Sequence, residues 1–385
     1  MIHFLTAYTE EVDDVDDGIA ELLGQINLGT LKKNSVGLIT CHSDFTNSSF
    51  VGELCKKLPF ETIGMTTIAS ANKHGKGMFS LSLTVLTSDD IVFETAMAKS
   101  LEPSNCYDKV KAAYSEAAKK LPSEPSMILT FFPYINDISG TQMQKNFDKI
   151  CGGIPFWGSI ASSPDVQTGH WFVFHNGEID SKGLAMILLH GPVNPEFIVI
   201  SMPSENIRKT RGRITSSDGC CLKEIDGIPV LKYMENIGIT IQKEVPVAIP
   251  IMVYYEGSAE PVALAIYSVN DDKSLMCAGE VPEGAAVAIG EITVESTLAS
   301  TAECMERVKK TGKQGGAMFL PCITRYIMLT PIHDREMSLV IEKMENGNYM
   351  PFSMAYSGGE ICPVKDRIGE LQNRFHNFSF IACVF

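Results

Sequence analysis

Basic charge is scarce in this chain of 385 residues. Thirty-two Lys and Arg stand against 46 Asp and Glu, a formal net charge of −14. Contacts to phosphate need a basic surface, which argues against a general binder of nucleic acid or of an anionic membrane. The one tight basic cluster, Arg208, Lys209, Arg211 and Arg213, reads as a solvated loop or edge strand. Long apolar runs are absent as well: the longest, Gly183 to Leu189, is far too short to span a bilayer. Met1 to Thr9 is mildly apolar, but nothing cationic precedes it and Glu10, Glu11, Asp13 and Asp14 follow, so no signal peptide is expected. The eleven cysteines are odd in number and show no Cys-x-x-Cys spacing. They read as reduced, buried thiols of a cytoplasmic protein, not as a disulfide framework or a metal site. The P-loop, the Gly-x-Gly-x-x-Gly turn, His-Glu-x-x-His and Gly-x-Ser-x-Gly are all missing, which weighs against an enzyme.

What is present is ordinary globular material, 45% hydrophobic and 20% charged, with enough length for two domains. The pattern predicts strands at the start (IHFLTAYT), at Ser35–Cys41, Phe60–Ala69, Phe79–Leu86 and Ile91–Ala98, with Gly75-Lys76-Gly77 as a turn. Helices are expected at Val12–Ile26, Phe45–Leu58, Asn105–Leu121, Gly140–Cys151, Ile228–Ile237 and Ser296–Thr311. Strands are expected at Ser126–Pro133 and in IPFWGSIAS, HWFVFHNGEI and GLAMILLHG. After these, Val245–Glu256 and Pro261–Val269 should form a hairpin, and Ala285–Gly290, Ala317–Cys322, Met350–Tyr356 and Phe375–Phe385 should be strands. The last is too apolar to dangle and should lie inside a sheet. Gly191–Pro195 is the best boundary, dividing the chain into domains 1–192 and 193–385. The fold class is α/β of the α+β kind, with mostly antiparallel mixed sheets covered by helices.

Three blocks, beginning near Ser35, Ser126 and Gly315, share one order: apolar strand, helix, a Pro-Phe strand ending in a polar turn, then further strands. Their central strands read LPFETIGMTTIAS, IPFWGSIASSPD and MPFSMAYSGGEI, and the second and third blocks carry His175-Asn176 and His376-Asn377. We read this as a degenerate strand-helix-strand-strand repeat, against the alternative that any such chain gives similar echoes.

Polar chemistry gathers at the strand ends of the last block: Cys322, Arg325, Tyr356, Glu360, His376 and Asn377. Arg325 can fork onto a carboxylate, Glu360 can receive an ammonium, and the others offer directional hydrogen bonds, a set that suits a zwitterion. Two other readings stand beside it. Arg325 and Glu360 could pair as a buried bridge, with His376-Asn377 capping a turn; or Cys322 could be a thiol nucleophile served by His376 and Asn377. Trp157 and Trp171 flank the second polar turn and either wall a pocket or fill a core.

The same residues, with Pro351, Phe352, Gly359, Ile361 and Pro363, resemble the C-terminal signature of the FIST family: Cys-x-x-Arg after a strand, Pro-Phe…Tyr…Gly-Glu-Ile…Pro, and a late His-Asn. Asp226-Gly227…Pro229…Tyr233 and Pro282-Glu283-Gly284 also match. Gly64–Ala71 corresponds to the family's Gly-Cys-Ser-Thr-x-Gly-Glu-Ile, keeping Gly and one Thr, and Gly158-Ser159-Ile160-Ala161 with Asp165 to Gly-Gly-x-Ala-x-Asp. Met354 stands where the family has Gly. The resemblance implies a FIST N-terminal and a FIST C-terminal domain that sense a small ligand, an amino acid or related carboxylate, at Arg325, Tyr356, Glu360, His376, Asn377 and Cys322. With the sequence ending at Phe385, no output domain is expected, and a signalling partner protein is expected in trans. No cofactor is expected; the family also implies a haem reading, with His170, His175, His190 or His376 as axial candidates.

Overall fold

The computed structural model describes residues 1–163, 170–241, 249–258, 260–346 and 350–385. Asp165 and residues 245–248 of the expected hairpin lie outside them. The first block is β1 (His3–Thr9), α1 (Val15–Gln25), β2 (Asn34–Cys41), α2 (Asp44–Asn47), α3 (Phe50–Lys57), β3 (Thr62–Thr66), the hairpin β4 (Ser70–Asn72) and β5 (Gly75–Gly77), and β6 (Leu81–Ser88). The second is β7 (Val92–Ala98), α4 (Cys106–Ala118), β8 (Met127–Phe132), α5 (Gly140–Cys151), β9 (Phe156–Ile160), the hairpin β10 (Val173–His175) and β11 (Glu178–Asp180), and β12 (Leu184–His190).

The third block opens with β13 (Glu196–Ile200) and is then interrupted by an insertion. Its parts are β14 (Gly212–Asp218), β15 (Cys221–Ile225), β16 (Ile228–Pro229), α6 (Val230–Asn236), β17 (Ile251–Tyr254), β18 (Val262–Leu264), β19 (Ile266–Val269), β20 (Leu275–Cys277) and β21 (Ala286–Ile289). These strands form one sheet over their own core of Ile214, Leu222, Ile251, Leu264 and Val287. The block resumes with α7 (Val294–Lys310), β22 (Ala317–Pro321), α8 (Ile323–Met328), α9 (Asp334–Glu345), β23 (Phe352–Ala355), the hairpin β24 (Gly359–Lys365) and β25 (Leu371–His376), and β26 (Phe380–Val384).

The three blocks build three six-stranded sheets with one shared order: β1-β6-β2-β3-β10-β11, β7-β12-β8-β9-β24-β25, and β13-β26-β22-β23-β4-β5. Each sheet holds one parallel pair (β2–β3, β8–β9, β22–β23) and is otherwise antiparallel. Each block keeps its first three strands and its last, and lends the hairpin between them to another sheet: the first block to the third, the second to the first, the third to the second. The repeat is therefore real and cyclic. The His-Asn echo does not belong to it: His175 ends the first strand of a lent hairpin, His376 the second.

Each sheet is buried on both faces, which is why β6 and β12 read as almost unbroken apolar or small-residue runs. The inner faces meet in one core: Phe4, Leu38 and Met65 from the first sheet, Leu129, Trp157 and Ile187 from the second, Met318, Leu320 and Ile381 from the third. Trp157 is thus a core residue. Helices cover the outer faces. Ile19, Leu22, Phe50 and Leu54 seat α1 and α3, Val110 and Phe147 seat α4 and α5, and Met305, Met337 and Val340 seat α7 and α9. Each large apolar side chain taken fully from water contributes roughly 1.5–3 kcal/mol.

Two local expectations change. Gly75–Gly77 is a strand, because β4–β5 finds its partner on β23, with Met354 opposite Ala71. Phe375–Phe385 is two strands: Phe378 takes φ 58° and turns the chain between β25 and β26. β26 then lies inside its sheet, between β13 and β22.

Candidate functional site

At the carboxyl ends of the parallel strands the three blocks touch. The segments leaving β3, β9 and β23 make matching hydrogen bonds: Thr67 N to Cys41 O, Ala161 N to Phe132 O, and Ser357 N to Pro321 O. The next residues reach the neighbouring block, Ser162 N to Thr66 O and Gly358 N to Ile160 O. The third such link is replaced by a side chain: Ile68 N donates to Ser162 Oγ at 3.1 Å, and Ser162 Oγ donates to Tyr356 O at 2.8 Å. Gly64 and Gly158 sit at equivalent places on β3 and β9, opposite Ile39 and Thr130, where a Cβ would come closer than 3.0 Å to those residues' carbonyl oxygens. The third equivalent is Met354, opposite Phe319 and packed beneath the helices.

Arg325 and Tyr356 come together in the third block. Arg325 sits on α8 and is 1% exposed; Tyr356 follows β23 and is fully buried. Their common partner is Glu336 of α9, which the sequence reading missed. Arg325 donates from Nε (3.0 Å) and Nη2 (2.7 Å) to Glu336 Oε1, Thr301 Oγ1 donates to the same oxygen at 2.6 Å, and the Tyr356 hydroxyl donates to Oε2 at 2.8 Å. Four donors thus close around one carboxylate. Arg325 is also held independently of α9, through Thr297 O (2.7 Å), Ser300 Oγ (3.0 Å) and Phe378 O (3.2 Å). Burial beside the Glu336 charge drives the Tyr356 phenol well above its ordinary range, so it remains a donor. Tyr326 meets Tyr356 edge to face at 5.0 Å and stacks on His333 at 4.4 Å.

Glu360 does not pair with Arg325. Its carboxyl takes hydrogen bonds of 2.6 Å from Ser357 Oγ and from Ser379 Oγ. Complete burial outweighs these bonds and pushes it up to about 8, so it is a neutral acid near pH 7. Cys322 lies beside it. Burial first, and then the Glu360 charge, drive its thiol up, away from the reactive thiolate. Thr324 Oγ1 donates to the Cys322 sulfur at 3.1 Å. His376 pairs with Glu360 across β24–β25, and its Nε2 lies 3.2 Å from Cys362 O. Burial lowers its ring to about 4, so it is neutral. Asn377 does not cap a local turn but grips the insertion: its N–H donates to Ala263 O and its Oδ1 accepts from Ala265 N. Among the described residues no hydrogen bond joins Cys322 to His376.

The six strand-end residues are therefore buried rather than open to a cleft. Two cavities, of about 310 Å³ beside Ile2, Val193 and Phe385 and about 140 Å³ beside Met305, Lys343 and Met350, are lined by none of them. Neither cavity is lined by a histidine, so neither offers haem an axial ligand. His175 contacts Thr95 Oγ1 at 2.7 Å, His190 lies on Glu124 O at 3.0 Å, and His170 stacks loosely on Phe172. Trp171 meets Tyr134 at 5.5 Å. Among the described residues no cluster of three His, Cys, Asp or Glu could hold a metal, and no helix is long and apolar enough to cross a membrane.

No curated protein matches the chain. Among solved structures, phosphoribosylformylglycinamidine synthase II from Thermotoga maritima aligns over 100% of this chain and 72% of its own, at 8% identity and a TM-score of 0.20, too low to support any argument. Family models are decisive: the FIST N domain matches residues 35–228 and the FIST C domain residues 231–363. The chain belongs to the FIST family, whose domains are small-ligand sensory domains of signal transduction.

Proposed function

We propose that this chain senses a small carboxylate, of the amino-acid class, at the Arg325–Tyr356 end of the third block. One observation carries the reading: Arg325, Thr301 and Tyr356 point four donors at one buried carboxylate position. That is more than a surface ion pair offers: three donors converge on one oxygen and the Tyr356 hydroxyl takes the other, which suits the two oxygens of a carboxylate. Glu360, held neutral nearby, gains a charge when an ammonium group approaches it, so it would complete recognition of an amino acid. Cys322, His376 and Asn377 support that acid and tie the site to the insertion. The eleven free thiols fit a reducing compartment, and we place the sensor in the cytoplasm, signalling through a separate partner protein.

A thermal-shift screen of amino acids and small carboxylates tests this. A ligand at about a hundred times its Kd should add roughly 2.7 kcal/mol of stability. Tyr356→Phe should weaken the effect and Arg325→Ala should abolish it. No shift with any compound in the set would refute the assignment.

A further inference from the structure

Resting on that reading, we infer that Glu336 is the sensor's own occupant: α9 plugs the carboxylate site in cis, and the ligand acts by displacing it. The donor half of the site comes from elements other than α9. Thr297 O and Ser300 Oγ of α7 and Phe378 O fix the guanidinium, and Thr301 also belongs to α7. Tyr356 is held by its backbone bond to Ala69 O and by the ring of Tyr326. Only the carboxylate belongs to α9. With α9 removed, the donors keep their places and the anion position is vacant.

The other blocks supply an internal control. The helices α3 and α5 fill the same crossover, between the first and second parallel strands of their sheets, and neither buries a charge. The buried residues of α3 are Phe50, Val51 and Leu54, and those of α5 include Met143, Gln144, Phe147 and Cys151. Seating a crossover helix in this fold therefore needs no carboxylate. A buried ion pair is in general no more stabilising than apolar residues of similar volume, so its presence in one block of three calls for a role other than packing. At its start α9 is held by the stack of His333 on Tyr326, whose carbonyl oxygen lies 3.2 Å from His333 Nδ1. His333 makes no side-chain cap bond, and the salt bridge from Lys76 to Asp334 is largely exposed on the aspartate side. That bridge joins α9 to β5, the hairpin lent by the first block, so lifting α9 would be felt in another block.

The test uses the full chain with sodium propionate as the probe, against propionamide and sodium chloride at equal ionic strength. Glu336→Ala vacates the position; Glu336→Gln removes the charge with little change of shape and serves if the alanine variant does not fold. Either variant should bind propionate at least tenfold more tightly than the wild type, and adding Tyr356→Phe should cancel the gain. In the wild type, saturating propionate should speed amide exchange in residues 334–345 and leave 294–310 unchanged. Variants with no propionate-specific gain, or wild-type binding that leaves exchange in 334–345 unchanged, would overturn the inference. The amino-acid screen fails separately: a vacated cage that takes propionate while the wild type ignores every amino acid refutes the ligand class and keeps the plug.

Discussion

Replacing Glu360 by Gln should remove a pH dependence that the fold builds into its own stability. The folded carboxyl titrates at about 8, against an ordinary 4.5. Between those values the native state holds a proton that the unfolded state has lost. Stability is then complete below 4.5 and declines as pH rises through 8. At about 1.4 kcal/mol per pH unit, the full span amounts to roughly 5 kcal/mol. His376 acts in the opposite sense over a lower window. Its ring, lowered to about 4 from 6.5, contributes stability that is present above 6.5 and lost as pH falls through 4. Measurement from pH 6.5 to 9 therefore isolates Glu360, and about 2 kcal/mol of its effect lies in that range. Glutamine preserves the partners, because Ser357 and Ser379 can each donate or accept. Glu360→Gln should already be more stable than wild type at pH 6.5, by roughly 3 kcal/mol, and the gap in urea midpoint should widen by about 2 kcal/mol toward pH 9. The exposed thiolates of the unfolded chain affect both alike. Parallel curves across the range would refute a neutral buried acid at this position.

Two further outcomes concern the frame around the site. Gly158→Ala forces a Cβ against the carbonyl of Thr130. It should cost about 1–3 kcal/mol or more, read as a lowered urea midpoint; an unchanged midpoint would mean that the parallel strands can separate freely. Cys322, 1% exposed and with its thiol driven up by burial, should react with a maleimide only as fast as the chain unfolds. Labelling within seconds in native buffer would restore it as a nucleophile.

The strands of the three blocks were legible because burial on both faces leaves short apolar runs, and a Pro-Phe pair leads into each central strand, at the start of β9 and β23 and two residues upstream for β3. The exchange of hairpins was not legible. A strand of three residues such as Gly75–Gly77 has no pattern of its own and exists through a partner far along the chain. Arg325 and Tyr356 were found as chemistry, but their partner was not. A signal was available: Glu336 shares a helical face with Met337, Val340 and Met344, so an acid was due to be buried, and Thr297, Ser300 and Thr301 form a matching polar stripe on α7. The alternative that Glu360 pairs with Arg325 fails because the register turns Glu360 toward His376 and Ser159.

The lending of hairpins sets a timetable for synthesis. Asn72 pairs with Ser353, which is made 281 residues later. At about 5–20 residues per second, the β4–β5 hairpin waits on the order of 14–56 s with an open edge before its sheet exists. The second sheet waits too, since β9 is completed only when β24 arrives, with Gly358 N bonded back to Ile160 O. Only the first sheet can close early, when β10 and β11 follow. A nascent chain of this kind is a substrate for whatever shields unpaired edges at the ribosome, and its yield should depend more on that shielding than on the stability of the finished ring.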